Sequence, residues 1–166
     1  MSGPVDDGVS AVLAANDAFY AAFSACDEPA MEGLWALQHP VSCTHPGRAV
    51  LASRDDVIAS WQMIFRGTQR LRANAEGAAV CMSGAMAVVT CYERLCTQAG
   101  RVLGLLAATN VFVREGSVWR LVHHHASGMA PGPGDNDEDD SDDGDDDPSI
   151  SEGEDPSGGH GGGLLN

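Results

Sequence analysis

The stretch Gly116-Ser-Val-Trp-Arg-Leu-Val-His-His-His-Ala-Ser127 decides the fold. It reads as a closing strand with three consecutive imidazoles, just before the composition turns to Asp, Gly, Ser and Pro. Successive side chains of a strand point to opposite faces. Strict alternation puts Trp119, Leu121, His123 and His125 on one face and Arg120, Val122, His124 and Ala126 on the other. The three histidines therefore serve two surfaces.

Working outward from this strand, the period-two pattern continues backwards through 101–114, 86–97 and 69–79. The connections Glu115-Gly-Ser117, Gln98-Ala-Gly100 and Ser83-Gly84 are short and contain glycine, as hairpins require. Before Gly67 the period is helical. Val12, Leu13, Phe19, Tyr20 and Phe23 form an apolar stripe in 9–26, and Met31, Leu34, Trp35 and Leu37 form a short second helix that Pro29 can start. Val41–His45 reads as a brief strand stopped by Pro46-Gly47. Ser53-Arg-Asp-Asp is a capped helix start leading into Val57, Ile58, Trp61, Ile64 and Phe65. Helices followed by an antiparallel meander define an α+β fold: three N-terminal helices on a strongly curved antiparallel or mixed sheet, a cone-shaped, cystatin-like roll. Such a sheet encloses a pocket, and Arg94, Asn110 and His124, the polar interruptions of apolar strands, are its expected lining.

The chain has 166 residues and a net charge of -15. Residues 1–130 carry 11 acidic residues against 9 Arg, while the rest carries 13 acidic residues and no basic one. The organisation expected is a leader over 1–8, one domain over 9–128, and a disordered acidic tail over 129–166. Without a basic stripe, nucleic acid is not an expected partner. No run reaches the length needed to span a bilayer, so membrane insertion is not expected either. Five cysteines, an odd number without Cys-x-x-Cys spacing, fit reduced thiols rather than a disulfide framework. Together with acidic residues Asp6 and Asp7 near the start, this points to a cytoplasmic protein. No cofactor is expected. There is no lysine, so Schiff-base chemistry is excluded.

The order of elements, with Val41-Ser-Cys-Thr-His-Pro-Gly47 and Ala108-Thr-Asn-Val-Phe-Val-Arg114 leading into the closing strand, resembles a SnoaL-like member of the nuclear transport factor 2-like superfamily. It is also similar to the association (hub) domain of calcium/calmodulin-dependent kinase II. The resemblance covers about residues 9–128. It implies a conical cavity lined by Arg94, Asn110, Phe112 and His124, with His45, Tyr20 and Trp61 near its mouth, and a homodimer formed through the outer sheet face. The hub domain carries polar or charged groups matching Arg94 and Asn110, but its closing-strand arginine corresponds to Ala126 here. The carboxylate of ketosteroid isomerases has no placed equivalent, because Asp55 and Asp56 read as first-turn helix acids. The superfamily spans enzymes, adaptors and hubs, so activity does not follow from it.

From the residues, His45 and His124 are the candidate proton-transfer groups. If they converge, His45 serves as base and Arg94 stabilises a developing anion. The competing reading makes both buried imidazoles satisfied by Thr44, Asn110 or backbone groups. His123 and His125 form a His-x-His pair that would bind a metal only with a third ligand, and none is evident, so no metal site is assigned. Three functions follow as expectations: a pocket domain for a small polar or anionic organic ligand, an oligomerisation hub without catalysis, and a proton-transfer isomerase or hydrolase-like enzyme using His45.

Overall fold

The computed structural model describes residues 4–67 and 70–129. The acidic segment read as a disordered tail, apart from Met129, and the first residues of the leader lie outside them. Helices α1 (Pro4–Ala25), α2 (Glu28–Leu34) and α3 (Arg54–Arg66) accompany strands β1 (Ser42–Thr44), β2 (Leu71–Ser83), β3 (Met86–Thr97), β4 (Val102–Glu115) and β5 (Val118–Gly128). The strands form one mixed sheet in the order β1-β5-β4-β3-β2. β2 to β5 are an antiparallel meander, and β1 adds parallel to β5 with Cys43 opposite His124. The α+β architecture read from the sequence is the one observed.

Local chemistry explains most boundaries. Asp27 caps α2 by accepting from the Ala30 N–H at 3.0 Å, and Ser53 caps α3 by accepting from the Asp56 N–H at 3.1 Å. The turns at Gly84 (φ 59°) and Gly116 (φ 64°) need a positive φ, which glycine adopts without Cβ strain. Besides shifts of one or two residues elsewhere, three boundaries differ from the sequence reading. α1 begins at Pro4, inside the stretch read as a leader, since a proline in the first helical turn already has the required φ. α2 stops at Leu34 because Trp35 turns extended (φ -78°, ψ 143°), and it then bridges to Leu121. β2 runs on to Ser83, past an irregularity between Glu76 and Ala79 that contains Gly77 (φ 62°).

The core lies between the helices and one face of the sheet. Val12, Phe19, Met31, Trp35, Val57, Val89, Phe112 and Leu121 are among its fully buried members. On β3 the buried positions are Ala87, Val89, Cys91 and Glu93. On β4 they are Ala108, Asn110, Phe112 and Val113. β5 departs from strict alternation. Val111 pairs with His123 but Phe112 pairs with Leu121, so Val122 is an extra residue that shifts the parity. Trp119 and Leu121 therefore share the inner face with His124 and Ala126, rather than lying with His123 and His125 as alternation predicts.

Candidate functional site

Two clusters of chemistry-bearing side chains occupy different depths. The inner one is a buried hydrogen-bonded chain. Asn110, fully buried on β4, accepts from His124 Nδ1 at 2.7 Å through Oδ1. Its Nδ2 donates to Asn16 Oδ1 at 2.8 Å and to Tyr20 Oη at 3.3 Å. Tyr20 lies 3.4 Å from Cys91 Sγ and 3.5 Å from Glu93 Oε2. An amide oxygen only accepts, so His124 carries its proton on Nδ1. Burial holds His124 down at about 3, with His45, His123 and His125 adding to the shift, so it is neutral. Burial lifts Glu93 to about 7, against a smaller lowering by the Tyr20 hydrogen bond. It pushes the Tyr20 hydroxyl upward too, with Glu93 contributing.

The outer cluster begins one residue beyond β1. His45, Pro46, Gly47 and Arg48 form a tight turn, with the Arg48 N–H donating to the His45 carbonyl at 3.0 Å and Gly47 at φ 68°. This turn and the second to fourth turns of α3 border a groove of about 450 Å³. Its walls are apolar, from Pro46, Ala49, Leu51, Met63 and Ile64, and its polar groups are His45, Arg48 and Ser60. His45 Nε2 lies 2.9 Å from Ser60 Oγ, and the imidazole stands edge-on to Trp61 with centroids 4.7 Å apart. Burial first and Arg48 second lower the His45 pKa. Beneath it the Cys43 thiol, pushed up to about 12 by burial and by Glu93, stays protonated.

The structure divides the predicted site. Asn110 and His124 do meet, and they hydrogen-bond to each other within the core. Phe112, expected in the cavity lining, and Tyr20 and Trp61, expected near its mouth, are all buried in the core. His45 and His124 pack against the same Trp61, with centroids 4.7 and 5.7 Å away. His45 is satisfied by Ser60, not by Thr44. Arg94 is not part of either cluster. It faces away from the helices and is bound by Glu76 on β2, with a 2.9 Å contact from Nη2 to Oε2. The inward residue is its neighbour Glu93, which continues the parity of Ala87, Val89 and Cys91. That parity was the available signal, and Arg94 drew attention only as a charge in an apolar strand. Ser60 and Arg48 carry no sequence signal beyond proximity to His45 and Trp61.

His123 accepts or donates at Ser42 Oγ (2.7 Å), and its ring lies 6.3 Å from that of His125. Among the described residues no third His, Cys, Asp or Glu joins them. No described helix is long and apolar enough to cross a membrane.

A five-stranded mixed sheet backed by three helices defines a class of α+β domain with a cystatin-like fold. The chain belongs to the SnoaL-like domain family, whose model matches residues 12–131. Among solved structures it is similar to an NTF2-like family protein from Streptomyces avermitilis, provisionally called a dehydratase. That likeness has 34% identity and a TM-score of 0.71, covering 76% of this chain and 99% of that one. It is also similar to a protein from Thiobacillus denitrificans provisionally described as a calcium/calmodulin-dependent protein kinase type II association domain. There the identity is 35% and the TM-score 0.60, over 70% of this chain and 94% of the other. Among curated proteins it is 29% identical over 119 residues to the F-box protein SKIP8 of Arabidopsis thaliana, covering 72% of this chain. The chain spans about half the length of that relative.

Proposed function

We infer that this domain binds a small organic ligand with an apolar body and an anionic or polar end in the groove between the His45–Leu51 segment and α3. The observation that carries this reading is the placement of His45, Ser60 and Arg48 on an otherwise apolar groove of about 450 Å³, a size suited to a small organic molecule. Arg48 supplies a cation for a carboxylate or similar group. His45, whose pKa is lowered, is unprotonated near neutral pH and serves as a proton or hydrogen-bond acceptor. If the domain is an enzyme, proton abstraction by His45 is the step it supports, and the likeness to the Streptomyces protein directs the search to elimination of water. The test is a thermal-shift and calorimetric screen of small carboxylates against wild-type and His45→Ala protein. Binding that needs His45 supports the reading, and a carboxylate bound equally by both proteins counts against it.

A second reading, assembly into a homodimer or larger ring, is favoured by the 35% identity to the protein provisionally described as a kinase association domain. Tyr92, half-exposed on the outer sheet face among the described residues, is consistent with it. Native mass spectrometry of the full chain distinguishes monomer, dimer and ring, and reports any retained small molecule. A cytoplasmic location belongs with these proposals.

A further inference from the structure

We propose that Ser60 is a positioning residue that holds His45 with its proton on Nε2, leaving Nδ1 as the nitrogen that accepts from the ligand. This deepens the groove reading above and rests on it for the ligand's part.

The argument counts protons. Ser60 Oγ has two neighbours within hydrogen-bond distance, the Val57 carbonyl oxygen at 2.7 Å and His45 Nε2 at 2.9 Å. A hydroxyl has one proton to give and lone pairs to receive with. At 2.7 Å the Ser60 and Val57 oxygens repel unless a proton lies between them, and a carbonyl oxygen brings none, so the Ser60 proton lies on that contact. A bare Nε2 would then face the Ser60 lone pairs, a repulsive contact at that distance. The arrangement is satisfied only when Nε2–H donates to Oγ. His45 is neutral near neutral pH and has one N–H, so Nδ1 is bare.

The surroundings keep this form in place. Trp61 meets the imidazole edge-on and limits its rotation, and it comes from the same helix as Ser60. Cys43 Sγ lies 3.8 and 4.0 Å from the two ring nitrogens, within reach of only a weak contact, and its protonated thiol brings no charge. Arg48 disfavours the doubly protonated ring. His124, which also touches Trp61, is neutral. No carboxylate is hydrogen-bonded to His45 among the described residues, so the ring has no partner that would raise its basicity in the manner of a catalytic triad.

The ligand class narrows accordingly. It carries a donor or an acidic proton for Nδ1 and an anionic group for Arg48. When a proton is transferred, the ligand's X–H bond breaks, its electron pair stays on the ligand, and the new bond is Nδ1–H. The Nε2–H donation to Ser60 persists in the resulting imidazolium, so the serine stays satisfied before and after the step.

Long-range proton–nitrogen correlation spectra of the full chain, labelled in histidine, read the tautomer directly, with His45 assigned by its loss in His45→Gln. The expected result is Nε2–H at neutral pH. Ser60→Ala should raise the minor tautomer roughly fivefold, the change for one net hydrogen bond, and Ser60→Thr, which keeps the hydroxyl, should restore the wild-type spectrum. An Nδ1–H form in the wild type, or a Ser60→Ala spectrum identical to it, overturns the proposal. This reading is made without ligand. A separate titration with 4-hydroxybenzoate then follows the backbone amides of Ala49 and Leu51. If those amides stay still, the groove reading fails whatever the tautomer. If they shift while His45 Nδ1 does not, the groove reading survives and the role given to Nδ1 is overturned.

Discussion

Replacing Glu93 by Gln should stabilise the domain at alkaline pH and leave it nearly unchanged in acid. Glu93 is 6% exposed on the inner face of β3, with the Tyr20 hydroxyl at 3.5 Å as its hydrogen-bond partner. Tyr20, Cys91 and Cys43, the titratable groups near it, are held protonated by burial, so they stay neutral and bring no charge to offset a carboxylate. Burial lifts its carboxyl from 4.5 to about 7. The folded state therefore holds this proton more tightly than the unfolded chain does. Its contribution to stability is complete below pH 4.5 and is lost as pH rises through 7. A shift of this size corresponds to about 3 kcal/mol, at about 1.4 kcal/mol per unit. Glutamine keeps the shape and carries no charge, so the difference between variant and wild type isolates this group from the histidines. Urea unfolding followed by circular dichroism, from about pH 4.5 to about pH 8, should show the variant gaining up to about 3 kcal/mol at the alkaline end, or about 10 °C in Tm. A difference that does not change with pH, or a variant less stable than wild type near pH 8, refutes the burial argument.

Three further outcomes follow from the same structure. His124, neutral in the core and held down at about 3, contributes stability that is present above 6.5 and lost as pH falls toward 3, so His124→Gln should flatten the acid limb of the wild-type curve, measured as Tm against pH. Asn110→Ala leaves His124 Nδ1–H and Asn16 Oδ1 buried without their partner, at a cost of about 2–5 kcal/mol by urea unfolding; a loss under about 1 kcal/mol would show that the chain of hydrogen bonds is not cooperative. Arg94→Ala should leave carboxylate affinity unchanged while Arg48→Ala lowers it roughly tenfold, and calorimetry that finds the reverse would return the anion site to the sheet.

The sequence made the helices and hairpins legible because their signals are local. Ser53 announces α3, glycines mark Gly84 and Gly116, and β3 alternates cleanly from Ala87 to Glu93. The site was harder. The parity of β5 depends on one extra residue, Val122, and nothing in Leu-Val-His-His-His marks it, since no glycine or proline accompanies it. Arg94 and Glu93 are neighbours on opposite faces, and choosing between them needed the β3 register rather than the charge. Asn110 and His124 were found because polar groups in apolar strands are rare enough to need partners. That they would be each other's partners depended on β4 and β5 pairing with those two residues opposite. Ser60 became visible only when α3 docked beside the His45 turn, a contact fifteen residues apart that no periodicity encodes.

The measurement closest to the central claim is amide chemical-shift mapping of the full chain during a titration with 4-hydroxybenzoate. The account predicts shifts concentrated in 45–51 and 60–64, and their loss when Ala49→Trp fills the groove. Shifts that instead centre on Arg94 and the outer sheet face, or that persist unchanged in the Ala49→Trp protein, would contradict it.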